Sequence, residues 1–201
     1  MRIAATGSEG QVVRSLRERA PALGHEIIPV GRPAPDLEGE PNAIVSELVA
    51  LSPEVIVSAA AYTAVDRAES ESERAFAVNG RGAGAVAVAA SRLGVPLIHL
   101  STDYVFDGAK AEPYLESDAT GPTSTYGASK LAGEQAVLDR HDNTAILRTA
   151  WVYSPFGRNF VKTMLRLAGQ QQTVRVVSDQ WGNPTSALDI ADGILAIAAR
   201  L

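Results

Sequence analysis

The sequence predicts an α/β fold, a doubly wound parallel sheet covered by helices on both faces. Three observations carry this expectation. Short β-branched runs alternate with longer helical patterns, the run Val55–Val57 is apolar without interruption, and the first run ends in a glycine turn that opens a helix.

Arg2–Thr6 reads as the first strand, Gln11–Arg19 as the first helix and Glu26–Val30 as the second strand. A proline-rich connection (Pro33, Pro35, Pro41) leads to a helix over Asn42–Leu51, and Val55–Val57 follows as a strand buried on both sides. Helices are expected at Asp66–Val78 and at Gly80–Leu93, the second alanine-rich and suited to close packing on a sheet. Pro96–Leu100 is the fourth strand. A loop from Asp103 to Thr123 is longer than ordinary connections, which marks a functional segment, and a helix from Ser124 to Asp139 follows it. Ala145–Arg148 and Val174–Val177 read as further strands, Asn159–Ala168 and Ala187–Ala199 as further helices.

At 201 residues the chain suits one domain spanning 1–201, and its 46% hydrophobic and 20% charged content is that of a globular protein. Eighteen basic against 23 acidic residues leave a net charge of −5 with no basic run, which argues against a nucleic-acid partner. The absence of cysteine excludes disulfides and thiolate metal sites and fits a reducing cytoplasm. Met1-Arg2 leads directly into the first strand, so no signal peptide is expected, and no run approaches the ~20 apolar residues of a membrane span. His25, His99 and His141 lack ligand spacing, so no metal is expected, and His99 reads as a core histidine.

The first strand runs into Thr6-Gly7-Ser8-Glu9-Gly10-Gln11-Val12-Val13. Gly7 and Gly10 allow a tight turn, and the helix start at Gln11 and Val12 offers backbone N–H groups to a pyrophosphate. Val13 stands where a third glycine often falls, which suggests looser helix–strand packing; a plain tight turn is the bland alternative. Gly31-Arg32 closes the second strand. An arginine there suits the 2′-phosphate of NADP(H), which is favoured, while NAD(H) stays open and a solvated Arg32 is the rival reading. Asp36 and Leu37 lie where adenine would border, and Ala59, Ala60 and Ala61 are small enough for close cofactor approach.

Tyr126 and Lys130 stand four apart on one helical face. An ammonium beside a phenol favours the phenolate and is expected to draw Tyr126 down towards the neutral range. Thr102, with Ser101 second, supplies a hydroxyl at the carboxyl end of the fourth strand, able to hydrogen-bond a substrate carbonyl or simply to cap the loop.

This order of parts resembles the extended short-chain dehydrogenases of Rossmann type. The segments Ala59–Glu69, Ser101–Gly108, Tyr126–Glu134, Arg148–Tyr153, Asn159–Leu165 and Asp179–Thr185 are similar to the dTDP-4-dehydrorhamnose reductase family, with likeness from residue 1 to 201. The resemblance implies reduction of the C4 ketone of dTDP-4-dehydro-L-rhamnose to dTDP-L-rhamnose, a polysaccharide precursor. It assigns proton donation to Tyr126, ketone orientation to Thr102 and cofactor ribose to Lys130. Asn79 would brace the cofactor region, while Thr63, Val65, Tyr104 and Trp151 would line the sugar pocket. Trp151 as a core or interface aromatic is the rival reading. The family commonly continues beyond this length, so the C-terminal substrate lobe is expected to be largely absent and substrate binding weak. A homodimer is compatible with the resemblance. A non-catalytic cofactor-binding regulatory subunit and a sugar-nucleotide epimerase or dehydratase are the alternatives. Retention of Thr102, Tyr126 and Lys130 speaks against the first, and Asp103-Tyr104 in place of an Asp-Glu pair against the second.

Overall fold

Alternation along the buried strands decides which helices pack where. Ile3 and Ala5 of β1 (Arg2–Thr6) face one side and Ala4 the other, and β3 (Val55–Ser58) and β4 (Leu97–Thr102) repeat the pattern. The computed structural model describes residues 1–201 and joins these strands with β2 (Glu26–Val30) and β5 (Thr144–Thr149) in one parallel sheet, order β2-β1-β3-β4-β5.

On one face α1 (Gln11–Arg19) and α8 (Ala187–Ala198) bring Leu16, Ile190, Ile194 and Leu195 against Ile3, Val57 and Ile98. On the other, α2 (Pro41–Ala50), α5 (Ala83–Leu93) and α6 (Thr125–Leu138) set Ile44, Leu48, Val86 and Val137 against Ala4, Ile56 and Leu97. Each such fully buried aliphatic side chain stabilises the fold by roughly 1.5–3 kcal/mol. Val13 departs from expectation. It is 1% exposed and belongs to the first of these clusters, because the valine fills the space a glycine would leave open.

Two elements differ from the sequence reading. The helix expected at Asp66–Val78 is broken into α3 (Val65–Ala68) and α4 (Ser72–Phe76), and a π-helical turn, Ala77–Gly82, then leads into α5. The break falls where the Ser70 hydroxyl donates to the Arg67 carbonyl at 3.1 Å, a local bond that competes with helix propagation. Val174–Val177 forms no strand. Val176 and Val177 are exposed with no neighbouring strand to pair with, and β-branched composition alone does not make a ladder.

A parallel pair stands apart from the main sheet instead, β6 (Val152–Tyr153) with β7 (Thr185–Ser186). Between them lies α7 (Phe160–Ala168), which buries no residue and leaves Phe160, Val161 and Leu165 exposed. The Gln11 side chain ties this region to the start of α1. Its Nε2 donates to Val152 O, and its Oε1 accepts from Ser154 Oγ and Asn159 Nδ2. No helix is long and apolar enough to cross a membrane.

Candidate active site

The carboxyl ends of the parallel strands bring the sequence-predicted residues to one edge, where open α/β sheets bind ligands. At the end of β1, Gly7 has φ +96°, a backbone region that side chains rarely adopt, and a Cβ there would meet Ala60 at 3.4 Å. Thr6 explains why the neighbouring strand end is held so close. Its hydroxyl accepts from both Ala59 N and Ala60 N at 2.9 Å, fixing the Ala59–Ala61 segment beside the glycine turn. Gly10 caps α1 without a side-chain hydrogen bond, and nothing lies within 4 Å of where its Cβ would be. The first-turn N–H groups of Gln11 and Val12 have no intrahelical acceptors. Arg32 is exposed and forms no salt bridge, Asp36 accepts from Glu38 N in a local turn, and the Leu37 side chain is buried in the core beside α5.

Asn79 sits in the π-helical turn and is 1% exposed. Its Oδ1 accepts from Tyr62 N at 2.8 Å, and its Nδ2 donates to Tyr62 O at 3.1 Å and Ser129 Oγ at 2.9 Å. Ser129 in turn donates to the Tyr126 carbonyl at 2.7 Å. One amide therefore joins the loop after β3 to the helix that carries Tyr126, and the turn is the kind of helix irregularity found at functional sites. Thr63 and Val65 follow Tyr62 along the same edge, Thr63 exposed and Val65 half-buried.

Helix α6 is placed by contacts at its N-terminal end and along its length. Ser124 caps it by accepting from Gly127 N at 3.1 Å, and Glu69 accepts from Thr125 N at 2.8 Å and Thr125 Oγ1 at 2.7 Å. A Cβ on Gly127 would overlap the Tyr104 carbonyl oxygen, and one on Gly133 the Asn79 carbonyl oxygen. The helix therefore lies backbone against backbone on the turn after β4 and on the π-helical turn.

Tyr126 meets Tyr104 edge-on, ring centroids 5.5 Å apart. Its phenol is pushed up to about 12, first by burial and then by the Asp103 carboxylate and Tyr104; a Thr102 hydrogen bond opposes them. Thr102's own best geometry goes elsewhere, its Oγ1 donating to Asp103 Oδ1 at 3.1 Å and accepting from Tyr104 N at 3.3 Å. Thr102 is thus both the strand-end hydroxyl and the cap of the following turn. Burial also pushes the Asp103 carboxyl up.

Lys130 is 3% exposed, and its Nζ donates to Leu100 O at 2.7 Å. Burial lowers it to about 8, with Glu134 opposing. This corrects the expected coupling. The ammonium is anchored to the strand carbonyl and is not among the groups acting on the phenol, so desolvation decides Tyr126 and keeps it protonated at neutral pH. His99, expected as a satisfied core histidine, is only half so: Nδ1 lies 3.1 Å from Ser58 Oγ, Nε2 has no partner, and burial holds it neutral.

The buried Lys130 has a consequence for stability. Below about pH 8 both folded and unfolded chains carry the charge, and above 10.5 neither does, so stability rises across that window as the unfolded chain alone remains protonated. Relative to Lys130→Met, the wild type is expected to gain about 3 kcal/mol between those pH values, read from denaturant unfolding. A flat difference would contradict the burial assignment.

Trp151 follows β5 with φ +47°, a strained conformation for a non-glycine residue, and stays 44% exposed. A Cβ on Gly182 would meet its indole at 2.8 Å, so Gly182 packs closely against the ring. Sequence reasoning missed Glu134 and Arg148. Arg148 Nε donates to Glu134 Oε1 at 2.9 Å and its Nη2 to Oε2 at 2.6 Å. The available signal was positional, since Glu134 lies one turn beyond Lys130 and Arg148 directly precedes Thr149.

Comparison with known proteins narrows this arrangement. A dTDP-4-dehydrorhamnose reductase of Sinorhizobium fredii is 54% identical over 202 residues, covering 100% of this chain and 67% of that protein. One of Burkholderia thailandensis is 46% identical, again over 100% of this chain and 67% of the relative. The crystal structure of dTDP-4-dehydrorhamnose reductase from Bacillus anthracis str. Ames in complex with NADP superimposes with a TM-score of 0.94 at 38% identity, over 98% of this chain and 71% of that one. The chain thus spans about two thirds of the length of the curated relatives it matches. The profile of the RmlD substrate binding domain matches residues 1–201, and the chain belongs to that family.

Proposed function

We propose that this chain reduces the C4 ketone of dTDP-4-dehydro-L-rhamnose to dTDP-L-rhamnose with NADP(H). The observation that carries the reading is convergence at the end of β4. Tyr126 lies against Thr102 and Asp103, and Lys130, one turn along α6, is anchored to Leu100 just before them.

The residues fit a dinucleotide. The left-handed Gly7, the open Gly10 and the free first-turn N–H groups of Gln11 and Val12 make a cradle for a pyrophosphate. A Cβ on Gly31 would come 3.2 Å from Ser8 N, so the end of β2 closes onto the same turn, which supports Arg32 as the residue that would meet a 2′-phosphate. Asp36 and the backbone of Leu37 would border the adenine, with Ala59, Ala60 and Ala61 opposite. Asn79 spends its amide on Tyr62 and Ser129 and supports the cofactor region through them. When bound, reduced nicotinamide supplies the hydride.

Tyr126, held protonated by burial, donates its proton to the carbonyl oxygen as that oxygen becomes an alcohol. Thr102 orients the carbonyl and stabilises charge developing on it. Lys130 gives one donor to Leu100 O and keeps two for ribose hydroxyls. On this reading Thr63, Val65, Tyr104 and Trp151 would line the sugar pocket.

The direct test mixes the purified chain with NADPH and dTDP-4-dehydro-L-rhamnose and follows loss of reduced-cofactor absorbance. Turnover supports the reading; cofactor binding without turnover overturns it for this chain. Arg32→Ala is expected to lower the NADPH-over-NADH preference about tenfold, the equivalent of ~1.4 kcal/mol, in paired cofactor titrations. An unchanged ratio would remove Arg32 from the 2′-phosphate site.

A further inference from the structure

The long loop after β4 is tied to the catalytic helix by a ladder of stacked groups. At its base Glu134 of α6, 3% exposed, takes both hydrogen bonds from Arg148 of β5. The Arg148 guanidinium lies 4.9 Å over the Phe106 ring, and Phe106 stacks on Tyr114 with centroids 4.1 Å apart and planes 10° from parallel. Lys110 Nζ lies 5.8 Å over the Tyr114 ring and pairs with Asp118 at 2.6 Å. The Tyr114 hydroxyl completes the fold of the loop, donating to Asp107 Oδ1 at 2.7 Å and accepting from Lys110 N at 3.2 Å.

The ladder ends next to the chemistry. Phe106 is two residues from Tyr104, which lies edge-on to Tyr126, and Arg148 pairs in register with Ser101, one step before Thr102. Arg148 is neutralised by Glu134 and is absent from the charges acting on the Tyr126 phenol. Its contribution is therefore one of position. The guanidinium is planar and can accept a carboxylate in its fork and an aromatic ring on its face at once, which an ammonium cannot do.

We propose that Arg148 and Phe106 are positioning residues, which pin the 103–118 loop to α6 and so fix Tyr104 as the wall beside the Tyr126 phenol. This rests on the reductase reading above. A displacement of about 1 Å at a reacting geometry costs on the order of 100-fold, so a loosened wall acts on turnover before it acts on cofactor binding.

The test compares the full chain with Phe106→Leu, which keeps apolar volume and loses the ring, and with Phe106→Tyr, which keeps the ring. Two readouts are taken: the rate of limited proteolysis within 107–121 without ligands, and kcat and KM for dTDP-4-dehydro-L-rhamnose with NADPH. Phe106→Leu is expected to raise loop cleavage about tenfold and lower kcat about tenfold, with the NADPH dissociation constant changed less than twofold. Phe106→Tyr should return both to within about threefold of wild type. Arg148→Lys, which keeps charge but loses the fork, should behave as Phe106→Leu does. Unchanged cleavage in Phe106→Leu overturns the pinning, and unchanged kcat despite faster cleavage overturns the positioning role. A wild-type chain without turnover defeats the reductase reading, and positioning with it, while the cleavage comparison still reports on the ladder.

Discussion

Tyr126→Phe is expected to lower ketone reduction by about 10²–10⁴-fold while leaving NADPH affinity within about twofold of wild type. The substitution removes one hydroxyl and keeps the ring, so the edge-on contact with Tyr104 at 5.5 Å survives and the loop is not disturbed. What disappears is the buried hydroxyl that its surroundings hold as a neutral acid. With the phenol pushed up to about 12, Tyr126 stays protonated throughout the neutral range, which suits donation to a forming alkoxide. Reduction should therefore show no loss between pH 7 and 9 that traces to this group; the measurement is kcat against pH for both proteins. Full activity of Tyr126→Phe would remove the proton-donor assignment.

Gly133→Ala is expected to destabilise the chain by about 3 kcal/mol or more, beyond the usual cost of overpacking, because the added methyl would overlap the Asn79 carbonyl oxygen. The obstacle is main chain on both sides, and neither partner can swing away as a flexible side chain would. Relief requires α6 to lift from the π-helical turn, which would also break the Asn79–Ser129 bond of 2.9 Å. Gly193→Ala is the matched control. It lies within α8 with nothing inside 4 Å of the added atom, and the change should stabilise by about 0.5–1 kcal/mol through helix propensity. Urea unfolding of both variants gives the comparison; equal effects of the same sign would show that the close approach at Gly133 is not as described.

Much of the scaffold was legible because it depends on local patterns. The Gly7 turn, the run Val55–Val57 and the strand end at Thr102 each announce themselves within a few residues, and Tyr126 with Lys130 needs only the helical repeat. What escaped depends on tertiary surroundings. Helical spacing places an ammonium near a phenol, yet it cannot show that Lys130 Nζ turns to Leu100 O, nor that burial dominates both groups. The helix over 66–78 looked continuous because Ser70 is a tolerable helix residue; its bond back to Arg67 O is visible only in space. Val174–Val177 has strand composition and no strand to join. The Glu134–Arg148 pair joins a helix to the strand that follows it, and no periodicity marks such a partnership.

The Asn79 clamp carries a chemical consequence of another kind. Asparagine followed by glycine, here Asn79-Gly80, is the dipeptide most prone to spontaneous deamidation, since the glycine nitrogen can attack the side-chain amide when the backbone is free to bend. In the folded chain that amide is buried and bonded at both ends, and the nitrogen belongs to a helical turn. Ageing at this position therefore has to wait for the turn to open, and the slow conversion of amide to acid, followed by peptide mass, becomes a clock for local unfolding beneath the Tyr126 helix.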